Sequence, residues 1–317
     1  MENRDDIITV IGHKAPDSDS LCSAIACTGL LNILGYKAKA ACASRINKEG
    51  KYILSCLGLQ EPEIIENVKD KKLVLVDHSS YSLGADGLRQ AKILEVIDHH
   101  LDGDILKDQN IKAMIEKTGA CATLIYEKYR QHNIVPDKDN AILLLSGILS
   151  DTSFMRRNVT AKDYRAYEEL LELVKIKDVE SYYKQMEEKR LSYEGMSADE
   201  IFMNDYKEYE TGHYTYGLAS LSARNKEEAA KLLELMKEEI KRQYASRQKD
   251  YLFLKIAQYE PSCSYMLGEG KNSQEILTSS LGLEKKTDHL FKEGQLNRKN
   301  EIVPAISRYL SENREEI

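Results

Sequence analysis

Tryptophan is absent from this 317-residue chain, and there are only five prolines and four phenylalanines. The missing tryptophan excludes nothing by itself, but other absences narrow the field. No apolar run approaches the length of a bilayer span, so a membrane protein is not expected. The six cysteines, at 22, 27, 42, 56, 121 and 263, form no C-x-x-C pair. That argues against a cysteine zinc site and for small buried thiols in a reducing cytoplasm. The formal charge of −7 lacks the basic excess of a general nucleic-acid binder, although a local basic pocket stays open. The opening Met1-Glu-Asn-Arg-Asp-Asp is unlike a secretion signal. Repeats and low-complexity tracts are also missing. What remains is 42% apolar and 31% charged, a globular chain long enough for two cores.

One stretch organises the rest, His13-Lys14-Ala15-Pro16-Asp17-Ser18-Asp19-Ser20. An apolar run, Ile7 to Ile11, precedes it and reads as a buried strand; Leu21 to Leu34 follows and reads as a packed helix. An imidazole and two carboxylates thus stand at the carboxyl end of a strand, where ligand sites gather in open α/β sheets. Imidazole mixed with oxygen ligands suits a divalent metal. The bland reading, in which Asp19 or Ser20 merely caps the helix, accounts for one residue of the cluster.

Along the chain, Lys37 to Ala43 predicts a strand and Lys48 to Leu57 a helix. Lys72 to Val76 predicts a strand ending in Asp77-His78, and Ile93 to Ile97 one ending in Asp98-His99-His100. Strands alternating with helical stretches imply a mainly parallel sheet flanked by helices. In such a sheet the strand ends lie side by side, so these acids and histidines converge. Helices are expected over 119–131, 139–150, 161–174 and 178–190, the second delivering Asp151 at its end. The pattern breaks at 191–197, which reads as a linker between a domain at 1–190 and a smaller α/β domain at 198–317. In the latter, 213–221, 251–258 and 263–267 predict strands, while 225–248, 274–281 and the terminal segment predict helices. The charge run of 225–248 is most simply a solvated face.

The convergent groups are His13, Asp17, Asp19, Asp77, His99, His100 and Asp151. So many carboxylates repel one another unless cations neutralise them. Two divalent ions about 3.5–4 Å apart would do so, and would activate a water for attack on phosphorus. The imidazoles favour Mn²⁺ or Co²⁺ over Mg²⁺. The expected chemistry is metal-assisted phosphoester or phosphoanhydride hydrolysis. An anionic substrate needs cations too, and Lys207, Arg298 and Lys299 are candidates, arginine being suited to bidentate phosphate binding.

The motifs GHKAPDSDS (12–20), VDH (76–78), VIDHH (96–100) and GILSDT (147–152) resemble the DHH phosphoesterase superfamily. With DYKEYE (205–210) and NRKNEIVP (297–304), the chain is similar over nearly its whole length to the family II inorganic pyrophosphatases. That resemblance implies two metal sites: His13 and Asp17 on one ion, Asp19, His99 and Asp151 on the other, with Asp77 bridging. It implies that His100 faces substrate or the nucleophilic water, that Asp98 supports the site, and that Lys207, Arg298 and Lys299 grip phosphate as the domains close about 191–197. It further implies two Mn²⁺ or Co²⁺ per subunit, Mg²⁺ entering with pyrophosphate, hydrolysis by a metal-bridged hydroxide, and a cytoplasmic homodimer paired through the N-terminal domain.

The chain departs from that family pattern around the substrate. VDHNE becomes Val76-Asp-His-Ser79-Ser80, and the LLFKSPT-like segment becomes Ser153 to Thr160. SRKKQ becomes Asn297-Arg-Lys-Asn300-Glu301. No metal ligand is lost. Two alternatives follow from these changes: a related phosphohydrolase acting on short polyphosphate or a nucleotide, and a metal- and phosphate-binding paralogue without hydrolysis.

Overall fold

The computed structural model describes residues 7–107 and 111–312. The N-terminal residues 1–6, read above as unlike a secretion signal, lie outside the described residues. The chain divides into two units, Met1–Ser192 and Tyr193–Ile317.

In the first unit, strands β1 (Ile8–Ile11), β2 (Ala38–Cys42), β3 (Glu63–Ile64), β4 (Lys72–Val76), β5 (Lys92–Asp98) and β6 (Lys112–Ile115) form a sheet in the order β3-β2-β1-β4-β5-β6. Every neighbouring pair in it is parallel. The helices are α1 (Ser18–Ile33), α2 (Lys48–Leu57), α3 (Cys121–Gln131), α4 (Lys138–Asp151), α5 (Ala161–Val174) and α6 (Val179–Leu191). Alternation along the strands sorts the core. Val10, Val74, Val76 and Ile97 pack with α1, α3, α4 and α5. Ile11, Leu73, Leu75 and Val96 point the other way, under irregular segments anchored by Ile65, Val68, Leu88 and Ile105. Reversal of strand order between β1 and β4 opens a crevice at their carboxyl ends, the usual ligand position in such sheets.

The second unit opens with Tyr193 and Met196 packed against its core. The chain thus has no free linker over the whole of 191–197: Leu191 still belongs to α6, and the Tyr193 hydroxyl accepts a hydrogen bond from the Ser222 amide. Its helices are α7 (Ala198–Met203), α8 (Lys226–Ser246), α9 (Ser273–Leu281) and α10 (Val303–Glu312). Its strands are β7 (Tyr206–Thr211), β8 (Tyr214–Asn225), β9 (Tyr251–Glu260), β10 (Cys263–Glu269), β11 (Glu284–Lys285) and β12 (Leu290–Glu293), ordered β11-β12-β10-β9-β8-β7. Only β8 and β9, joined through α8, pair in parallel. Apolar residues of α7 and α8 cover one face, and those of α9 and α10 the other. The outer face of α8 is solvated and laced with pairs such as Lys231–Glu227, as its charge run suggested. No helix among the described residues is long and apolar enough to cross a membrane.

Candidate metal centre

The centre is built at the carboxyl ends of β1, β4 and β5. After β1 the chain turns through His13 into α1, whose N-cap is Asp17, neither Asp19 nor Ser20 as the bland reading had it. One oxygen of Asp17 accepts from the Ser20 amide at 2.9 Å, while the other faces His13 Nε2 at 3.6 Å. A single carboxylate therefore starts the helix and faces the site. Asp19, in the first turn, is fully buried. Its Oδ2 accepts from the Cys121 amide at 2.6 Å and its Oδ1 from the Ala122 amide at 3.0 Å, both in the first turn of α3. Free amides at a helix N-terminus are strong anion acceptor sites, and these fix a carboxylate that burial would otherwise penalise. α4 reaches this spot because residue 147 is glycine: a Cβ there would stand 2.7 Å from Asp19 Oδ1 and 2.9 Å from the Ala122 Cβ.

Asp77 follows β4 with φ of 62°, a left-handed conformation that costs a non-glycine residue about 1–2 kcal/mol. The turn sets its carboxylate between two imidazoles, Oδ2 3.4 Å from His13 Nε2 and Oδ1 3.3 Å from His99 Nε2. His99 Nε2 also lies 3.4 Å from Asp151 Oδ2 at the end of α4. Its other nitrogen, Nδ1, donates to the Thr118 carbonyl at 3.0 Å, which leaves Nε2 as a free ligand atom. The donor atoms form overlapping groups: His13, Asp17 and Asp77; Asp19, His99 and Asp151; and Asp77, Asp98, His99 and His100. Within each group they lie within 4.8 Å of one another.

The electrostatics follow from this crowding. Burial alone would lower the pKa of His13 and His99, but the close carboxylates of Asp17 and Asp77, and of Asp77 and Asp19, raise both to about 10. Burial opposes ionisation of Asp77, yet the two imidazoles pull its pKa down to about 2. Burial, Asp17 and Asp77 together push Asp151 up to about 7, and burial with Asp77 and Asp151 holds Asp19 well above the usual carboxylate range. Protons here hold places that a metal cation fills better. Asp77 Oδ1 and His99 Nε2 are buried without a hydrogen-bond partner, as atoms kept for metal coordination would be. The donor set of imidazole and carboxylate fits a divalent ion such as manganese.

His100 belongs to the third of these groups and has over half of its side chain exposed. Its Nδ1 donates to Asp98 Oδ1 at 2.8 Å, and the buried Asp98 also accepts from Ser79 Oγ at 2.7 Å. The Asp98 hydrogen bond raises the His100 pKa. Thus Ser79, noted as a departure from VDHNE, takes up support of Asp98. Beyond α4, three successive residues, Ser153, Phe154 and Met155, have positive φ; the turn is held by the Met155 amide donating to Thr152 Oγ1 at 3.0 Å.

Some contributors carry no local sequence signal: Thr118, the amides of Cys121 and Ala122, Gly147 and Glu49. Glu49 is buried in α2 and its Oε2 accepts from Ser18 Oγ at 2.7 Å and Ser150 Oγ at 2.9 Å. It therefore ties the residue between Asp17 and Asp19 to the residue before Asp151.

The second unit holds the expected cations. Lys207 lies exposed on β7, and Lys299 exposed in the turn before α10. Arg298, in the same turn, is mostly buried, its Nη1 2.8 Å from Asp205 Oδ1 and 3.0 Å from the Asp205 carbonyl.

Residues 7–148 match the DHH family, N-terminal domain, and residues 184–309 match the DHHA2 domain. Fold and site thus define a two-domain DHH–DHHA2 protein. A protein from Exiguobacterium named "Probable manganese-dependent inorganic pyrophosphatase" is 33% identical over 68% of this chain and 70% of the relative. The manganese-dependent inorganic pyrophosphatase of Methanothrix thermoacetophila is 29% identical over 95% of this chain and 97% of the relative. The crystal structure of a Methanococcus jannaschii protein described as a "putative family II inorganic pyrophosphatase" superposes with a TM-score of 0.66 at 27% identity, covering 95% of this chain and 99% of that one. The chain belongs to the family of manganese-dependent, or family II, inorganic pyrophosphatases.

Proposed function

We propose that this chain hydrolyses inorganic pyrophosphate to two phosphates with the help of divalent manganese, as the names of its relatives say of them. The observation that carries the reading is Asp77, whose two carboxylate oxygens face histidines of two different donor groups. On this reading His13 and Asp17 hold one ion, Asp19, His99 and Asp151 a second, and Asp77 both. Bound divalent ions supply charge neutralisation and a water acidified towards neutrality.

The chain's own groups do the rest. His100, whose hold on its proton is strengthened by Asp98, donates to a phosphate oxygen and protonates the departing phosphate. Asp98, clamped by Ser79, holds the ring in one orientation. Lys207, Arg298 and Lys299 bind phosphate oxygens, and the Arg298 guanidinium is pre-set by Asp205, which lowers the entropy cost of using it. Mn²⁺ or Co²⁺ as resident ions, Mg²⁺ accompanying the substrate, a homodimer paired through the N-terminal unit, and a cytoplasmic location complete the proposal; family membership supports them.

The test is phosphate release from pyrophosphate, tripolyphosphate and ATP by protein preloaded with Mn²⁺, with Mg²⁺ in excess. Fast release from pyrophosphate alone is expected. Preference for the longer substrates, or metal binding without any release, would replace this reading with one of the two alternatives.

A further inference from the structure

Strand β9 is apolar and buried from Tyr251 to Ala257 except at one position, Lys255. Its alternation is otherwise regular. Leu252, Leu254 and Ile256 pack towards α8, and Tyr251 and Phe253 towards α9 and α10. Lys255 shares the second face, where an apolar residue would satisfy the strand. Burial lowers its pKa, and the positive charge of Arg298 lowers it further. A lysine here is destabilising by both effects, so its presence needs a reason beyond the strand.

The surroundings supply one. Lys255 Nζ donates to the Leu296 carbonyl at 3.3 Å, just ahead of the turn that carries Arg298. On the adjoining strand its register partner is Ser220, whose amide donates to the Asp205 carbonyl at 3.0 Å, the same carbonyl that Arg298 Nη1 contacts. Lys255, Ser220 and Arg298 are therefore grouped about one point of the unit. Ser220 Oγ is buried with no hydrogen-bond partner among the described residues.

Two acids, Asp205 and Glu301, favour the charged form of Lys255 from a distance, but neither touches it. Asp205 is taken by Arg298, and Glu301, the other nearby acid, turns its Oε2 to the Asn297 amide at 2.7 Å. Among the described residues no carboxylate lies within ion-pair distance of Lys255. Lys255 is therefore a cation with no carboxylate in contact, its only hydrogen bond here going to a carbonyl, and an incoming phosphate oxygen would supply the missing contact.

We propose that Lys255, together with the free hydroxyl of Ser220, binds substrate phosphate beside Arg298. It is a fourth cation of the phosphate-binding surface, one that the sequence motifs do not mark. This rests on the reading that Arg298 binds phosphate.

The test uses the full-length chain loaded with Mn²⁺ and methylenediphosphonate, a pyrophosphate analogue that cannot be hydrolysed, with binding followed by calorimetry. Lys255→Gln retains a donor for the Leu296 carbonyl but no charge, and is expected to weaken binding about tenfold or more. Lys255→Arg should stay within about threefold of the natural protein, and Mn²⁺ affinity should be unchanged in both. Should Lys255→Gln fail to fold, Ser220→Ala takes its place, with a loss of at least about threefold expected. Equal binding by the variant that folds, or no analogue binding by the natural chain, overturns the inference. Pyrophosphate hydrolysis is measured separately. Analogue binding that depends on Lys255, without phosphate release, would sink the hydrolytic reading and leave this subsite standing. Hydrolysis with analogue binding indifferent to Lys255 would do the reverse.

Discussion

The Cys121 amide donates to Asp19 Oδ2 at 2.6 Å, joining the start of α3 to the first turn of α1. A candidate metal ligand is thus aimed by backbone from a distant part of the chain, and its aim depends on how closely the helices approach. Gly147 of α4 sets that approach. Gly147→Ala would force a methyl group against Asp19 and Ala122 and should destabilise the N-terminal unit by about 1–3 kcal/mol. It should also weaken Mn²⁺ binding. Urea unfolding and calorimetry read the two effects; if neither changes, the tight crossing is not what holds Asp19.

On the proposed reading Asp77 is a ligand shared by the two ions. Loss of a residue that only supports a ligand typically costs about 10–100-fold, so Asp77→Ala should cost at least that and reduce pyrophosphate hydrolysis to background. The number of Mn²⁺ ions bound should fall as well. Full metal-dependent activity in this variant would rule out Asp77 as the shared ligand.

Metal binding should release protons. His13 and His99, raised from 6.5 to about 10, are protonated near neutral pH in the metal-free chain and must lose those protons to coordinate. Calorimetry in buffers of different ionisation enthalpy, at about pH 7.5, should find about two protons or more released, since Asp19 and Asp151 are raised as well, with affinity climbing as pH rises. In the metal-free chain the sign for stability is opposite. Raised imidazole pKa values add stability that is complete below pH 6.5 and lost as pH rises through about 10. The lowered Asp77 pKa adds stability present above pH 3.8 and lost as pH falls through about 2. The metal-free protein should therefore lose stability at the alkaline end, where the Mn²⁺-loaded protein does not.

Arg298→Ala should raise KM for pyrophosphate about 10–100-fold, with kcat changed less, because it removes a charge-assisted contact to substrate oxygens. Arg298→Lys should recover only part of this, since lysine cannot keep both Asp205 contacts and a bidentate phosphate grip. An unchanged KM in Arg298→Ala would remove this arginine from the substrate site.

Much of the fold could be read from local pattern. Helices over 48–57 and 161–174 fall where periodicity puts them, and the apolar runs at 72–76 and 93–97 lie within β4 and β5. Short or exposed elements escaped. β6 and β12 are four residues each, and their pairing partners, not their own composition, make them strands. α7 is short too, but it carries a signal, the capping box Ser197-x-x-Glu200. At the site, parallel strand ends made the meeting of His13, Asp77 and His99 legible. The support around them was not: Thr118 and the α3 amides act through backbone atoms, Gly147 acts by lacking a side chain, and Glu49 acts across helices. Lys255 was hidden within an apolar run whose register only the sheet reveals.

The candidate metal donors come from well-separated parts of the N-terminal unit, with His13 after β1 and Asp151 at the end of α4. No short segment contains a complete set, so an ion that binds tightly can do so only after these elements have docked. Ions that prefer the native chain draw the folding equilibrium towards it by mass action. Manganese supply would then govern how much of this protein survives as folded molecules, besides how fast each one works.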